Sequence, residues 1–184
     1  MERARLAIIS LVHFVLAPGV VVGLIPWAIS GWDQHTPPWS SPALRVFGAV
    51  LIAGGVVVLV RLFARFVTDG RGTPAPIAPT RYLVVSGLYR HVRNPMYIAV
   101  VAAIAGQAFL LGRADLLVYA ATVWVIVAAF VRWYEEPSLH ARFGASYDEY
   151  RDAVPAWWPR LHPWRPDAAP TGPRAAVGDL TERP

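Results

Sequence analysis

The chain has 184 residues, 55% hydrophobic and only 16% charged, with a mean hydropathy of +0.41. That balance is too apolar for an ordinary soluble domain and marks a membrane protein of about one domain's size. The net charge of +5 comes from Arg alone, with no Lys, and the arginines flank apolar segments instead of forming a solvated basic face, which argues against nucleic-acid binding.

Four apolar stretches lie at about Leu6–Ile29, Ala43–Val67, Pro95–Leu111 and Leu116–Trp133. A helix needs roughly 20 residues to cross the hydrocarbon core. The first two stretches are long enough, and the third is short. The expectation is an all-α integral membrane protein with about four transmembrane helices. The first stretch is too long for a signal-peptide core and reads as a retained anchor. Within it, His13 reads as a packed, hydrogen-bonded histidine.

Arginine placement sets the expected orientation. Arg3 and Arg5 precede the first stretch, whereas the loop Trp32–Pro42 has no Arg and carries Asp33. Arg61, Arg65, Arg71, Arg81, Arg90 and Arg93 lie at or after the end of the second stretch, and Arg132, Arg142, Arg151, Arg160 and Arg165 follow around the end of the fourth. By the positive-inside rule both termini and the central loop face the cytoplasm, in an inner or plasma membrane of bacterial type. Arg61 and Arg65, four apart on one helix face, read as side chains snorkelling to the interface.

The central loop is extended around Gly72-Thr73-Pro74-Ala75-Pro76, because each Pro biases its predecessor away from helix. Arg81 to Val85 reads as a short extended run, with a turn at Gly87. Asn94-Pro95 is a helix start, with Asn at N-cap and Pro at N1. Only Gly112-Arg113-Ala114-Asp115 separates the third and fourth stretches, which predicts a tight antiparallel hairpin. Leu139, Phe143, Tyr147 and Tyr150 recur at helical spacing and predict an amphipathic surface helix over Pro137–Tyr150. Beyond it, Trp157, Trp158 and Trp164 suit the membrane interface. The expected organisation is an N-terminal helix pair over 1–67, then a loop, hairpin and interfacial segment over 68–165 in the same domain, and a disordered Pro/Ala/Gly tail over 166–184.

Polar groups gather at both sequence ends of the hairpin. At Asn94-Pro95 the free N–H groups of a helix start can hold an anion, with Tyr89 and Tyr97 offering flat faces to a heterocycle. The same residues also suit a plain helix cap. Glu135-Glu136-Pro137 has a similar pair of readings. Pro137 as N1 of a surface helix would favour two carboxylates at its start, with Arg132 as their partner. Yet acidic residues at a membrane boundary are costly unless satisfied, and often functional. The chain has no Cys, which removes disulfides, thiolate nucleophiles and Cys-ligated metals. The histidines show no paired-ligand spacing, so no metal is expected. No phosphate-binding loop or dinucleotide fingerprint occurs.

The order Leu83-Val84-Val85-Ser86-Gly87-Leu88-Tyr89, Arg93-Asn94-Pro95-Met96-Tyr97, Glu135-Glu136-Pro137-Ser138-Leu139, Phe143-Gly144 and Tyr147-Asp148-Glu149-Tyr150 resembles the isoprenylcysteine carboxyl methyltransferase family. The related membrane phospholipid methyltransferases share the Arg-His-Pro and Glu-Glu elements. The resemblance covers about Gly72–Pro159. It implies S-adenosylmethionine as cofactor, held by Arg81, Tyr82, Leu83, Val84, Tyr89, Asn94, Pro95, Met96, Tyr97 and Glu135. It further implies a lipophilic methyl acceptor, with a carboxylate as the first reading and a phospholipid or other lipid amine as the alternative. An ionised carboxylate needs no base; an amine does, and Glu136 is the candidate. Arg132 lies beside the position of a substrate-contacting Arg. Two departures stand out: Asn94 replaces the family's usual His, and Ala99 replaces a frequent Gly. Competing readings are a non-catalytic scaffold or sensor of the same fold, a nicotinamide-dependent reductase of similar architecture, and, with least support, a transporter.

Overall fold

The computed structural model describes residues 18–68 and 85–165. The described residues are helical or irregular. Helix α1 runs Gly19–Ser30, α2 Pro42–Thr68, α3 Pro95–Leu111, α4 Ala114–Phe143 and α5 Ala145–Ala153, with a short 3-10 turn at Gly87–Arg90. Two of these, over Pro42–Ala64 and Ala114–Phe143, are long and apolar enough to cross a membrane. Helix α1 and the 17-residue α3 are shorter apolar helices. At about 1.5 Å per residue α3 is roughly 25 Å long, just under the bilayer core.

Backbone proximity between α2 and α3 is possible because their contact is lined with small residues. A Cβ on Gly106 would sit 2.7 Å from the Gly48 carbonyl oxygen, and one on Gly55 2.7 Å from the Ala99 carbonyl oxygen. Ala99, Ala103 and Ile104 are buried there. Close backbone approach through small residues is how helices associate where lipid removes the hydrophobic drive. Val46, Val50 and Val57 on α2 and Val118, Val125 and Ile126 on α4 face outward, as lipid-facing side chains do.

Prolines shape α1 and α4 in the same way. Pro26 has no N–H, so Val22 loses its α-helical donor, and the preceding turn Gly19–Leu24 is widened to a π-helix. Side chains from the hairpin supply replacements: Gln107 Nε2 donates to the Val22 carbonyl at 2.8 Å and Tyr119 Oη to the Val21 carbonyl at 3.0 Å. Thus the one amide in α3 ties α1 to the hairpin. In α4 a π-turn spans Val131–Glu135 ahead of Pro137.

That π-turn revises one sequence reading. Glu135 and Glu136 do not open a separate surface helix, because the widened turn absorbs Pro137 and α4 runs on to Phe143. The predicted Pro137–Tyr150 helix is instead two pieces, broken at Gly144, where φ is +53°. The hairpin is as tight as expected: Gly112 ends α3 at φ +69°, and its missing Cβ leaves room for the His35 carbonyl. Arg3, Arg5, His13, Arg71, the 69–84 loop and the 166–184 tail lie outside the described residues, as does the side chain of Arg65.

Candidate functional site

The start of α3 and the π-turn of α4 meet although about forty residues separate them in sequence. Tyr97, in the first turn of α3, donates its hydroxyl to Glu135 Oε2 at 3.1 Å. Arg93, just before the helix, donates from Nη1 to Glu136 Oε1 at 2.6 Å and to the Tyr147 hydroxyl at 3.3 Å. The ion pair is largely withdrawn from solvent, at 14% and 17% side-chain exposure. The π-turn matters here. Its i→i+5 hydrogen bonding, Glu136 N–H to Val131 O, alters the angular spacing of neighbouring side chains, and the two carboxylates take different partners. The Nε–H of Arg93 is buried without a protein acceptor.

Asn94 and Pro95 occupy N-cap and N1 as the sequence predicts. The Asn94 side chain, however, does not cap the helix. It is buried, and its Nδ2 donates to the Ala156 carbonyl at 3.2 Å. A helix start without a side-chain cap keeps amide donors for an anion.

The segment after α5 binds back across this helix start like a strap. Arg93 N–H donates to Pro155 O, Arg160 N–H to His91 O and Trp164 N–H to Arg90 O, at 2.9–3.0 Å. Arg90 Nε donates to Trp164 O at 2.6 Å, and His91 Nδ1 lies 2.8 Å from Arg160 O. Below the strap Tyr147, Tyr150 and Val154 are buried with Val85, Leu139, Phe143 and Trp164 around them. The Tyr150 hydroxyl donates to Tyr89 O at 2.7 Å. Burial, and then the negative charge of Glu135, pushes the Tyr89 phenol up to about 12. Burial likewise raises the Tyr147 and Tyr150 phenols.

Of the sequence-predicted site residues, Asn94, Pro95, Met96, Tyr97, Glu135 and Glu136 lie where the start of α3 and the π-turn of α4 meet, and Tyr89 lies on the 3-10 turn just before α3. Arg132 is exposed, and Glu136 takes Arg93 as its ionic partner. Arg81, Tyr82, Leu83 and Val84 lie outside the described residues. Sequence reasoning used Arg93 for orientation and missed its pairing. Nor did it find the strap, whose partners are about 60–75 residues away from it in sequence. Among the described residues no group of His, Asp or Glu could hold a metal ion.

No curated protein and no solved structure matches the chain. A family model described as phospholipid methyltransferase matches residues 43–146, more than half of the sequence, from the start of α2 to the start of α5. That span holds the α2–α3 contact, the hairpin, and both the Arg93–Tyr97 and Glu135–Glu136 elements. The chain therefore belongs to the phospholipid methyltransferase family of membrane methyltransferases.

Proposed function

We propose that the chain transfers a methyl group from S-adenosylmethionine to a lipophilic acceptor at the cytoplasmic membrane face, both termini lying on that side. One observation carries the reading: the Tyr97–Glu135 hydrogen bond joins the two family elements at an uncapped helix start. The residues suit the cofactor's chemistry. A half-buried carboxylate at Glu135 matches ribose hydroxyls or a cationic sulfonium. The α3 N-terminus around Asn94, Pro95, Met96 and Tyr97 suits the cofactor's carboxylate, and the orphan Arg93 Nε–H offers a further donor. Tyr89 and Tyr97 would pack the purine. Arg81, Tyr82, Leu83 and Val84 would complete the lining. In this reading four helices cross the membrane, α3 being held by its neighbours.

S-adenosylmethionine supplies an electrophilic methyl on sulfur, and its displacement is in-line. The chain's work is to position the acceptor and exclude water. With a carboxylate acceptor, opposite charges neutralise in the transition state, so a dry site favours it over the separated ions. That acceptor requires no proton acceptor, which agrees with Glu136 being committed to Arg93. A phospholipid amine is the second reading, favoured by the family match, and there Glu136 would take the proton. Arg132, exposed at the π-turn, would meet an anionic acceptor.

The test is methyl transfer from radiolabelled S-adenosylmethionine in nanodiscs supplied with prenylated carboxylates or phosphatidylethanolamine. Label released by alkali as methanol identifies a carboxyl ester, and alkali-stable label identifies an N-methyl lipid. Cofactor binding without transfer to either class would refute both acceptor assignments.

A further inference from the structure

The strap carries an apolar surface that the site does not use. Trp158 is 82% exposed and Leu161 91% exposed, the highest values among the large apolar side chains of the described residues. Trp164 is spoken for, packed on Tyr150 with ring centroids 5.6 Å apart. Trp157 reaches a different neighbour: its ring lies edge-on to Trp124, centroids 6.2 Å apart. Trp124 belongs to the membrane-crossing part of α4, eleven positions before Glu135, or about 16 Å down the axis. Its neighbours Val125 and Ile126 face outward with the lipid-facing surface.

A strap tied by Pro155 and Ala156 to the start of α3 thus sends its next side chain to Trp124, on the outward-facing side of α4. Trp158 and Leu161 follow on that same segment, both almost wholly exposed. Indole rings favour the headgroup boundary, where an apolar body and a polar N–H are both satisfied.

We propose that Trp157, Trp158 and Leu161 seat the strap in the lipid bilayer beside α4, so that the membrane itself holds the strap against the start of α3. The occupant of this surface is lipid, in continuity with the lipid-facing side of α4. The inference stands on the strap's geometry and does not require the methyl-transfer reading.

The chain has no native cysteine, which makes site-specific labelling direct. Trp158→Cys and Leu161→Cys would each carry an environment-sensitive fluorophore, in the full chain reconstituted in nanodiscs with doxyl-labelled phosphatidylcholine. Asp152→Cys, an exposed position of α5, is the solvent control. All three positions are exposed, so the substitutions leave the packed interior intact. The proposal expects at least threefold stronger doxyl quenching at 158 and 161 than at 152, and correspondingly weaker quenching by aqueous iodide. Equal quenching at all three positions would overturn it, and so would shielding of 158 and 161 from both quenchers, which would mean that a protein surface covers them.

Discussion

The two ends of the α3–α4 hairpin use similar residues to opposite effect. At the tip, Arg113 pairs with Asp115 two positions on, and also reaches the Ile29 carbonyl and His35. Its partner is 40% exposed. At the other end, Arg93 pairs with Glu136 across 43 positions and Tyr97 with Glu135 across 38, with little solvent contact for the ion pair. A local ion pair whose carboxylate stays in water finishes a turn and is worth little, because water screens it. A withdrawn pair is made only when the fold is complete, and it is costly to break. The difference separates a turn cap from the candidate site, although charge content alone would rank the two ends alike.

Substitutions at the two ends should separate by that rule. The largest expected effect is Arg93→Met, which leaves Glu136 withdrawn and unpaired; loss of about 3–5 kcal/mol is expected from such a break. Thermal unfolding in detergent measures it, and Arg93→Met/Glu136→Gln should recover part of the loss because no charge is then stranded. Next comes Tyr97→Phe, which removes one hydrogen bond to a carboxylate, an interaction typically worth about 1.5–3 kcal/mol. Its clearer signature is weakened cofactor binding in a protein that still folds.

Alkaline titration tests the buried phenol. Because folding raises the Tyr89 phenol from 10.0 to about 12, its contribution is complete below pH 10 and lost as pH rises through 12. Stability measured across that window should fall less steeply in Tyr89→Phe. Asn94→Ala frees the strap at one point, for about 1 kcal/mol, and hydrogen exchange should rise at the Arg93 and Arg160 amides. The smallest change should come from Asp115→Asn at the tip, with unfolding temperature and cofactor binding both close to wild type. A tip substitution as damaging as Arg93→Met would dissolve the distinction between the two ends.

Much of this arrangement is legible in the sequence, and the gaps have physical reasons. The hairpin could be read because apolar runs, Gly112 and Asn94-Pro95 are local signals. The helix break at Pro137 was misread because Pro is equally at home at N1 and after a widened turn. Only the backbone of Val131–Glu135 distinguishes the two cases. Asn94 occupies the expected position, but its amide is drawn to Ala156, a partner 62 positions away that no local rule foresees. The same holds for Arg93, whose place among the arginines after the second apolar stretch suggests membrane orientation and whose geometry gives it Glu136. Gln107 escaped notice because its role exists only once Pro26 has stripped Val22 of its donor.

The most direct test of the central claim is calorimetric titration of S-adenosylmethionine into the detergent-purified protein, beside Tyr97→Ala and Glu135→Gln. The account predicts saturable binding by wild type, weakened at least tenfold by either change, with unfolding curves showing both variants folded. Absence of binding by folded wild type, or undiminished affinity in both variants, would contradict a cofactor site at the Tyr97–Glu135 junction.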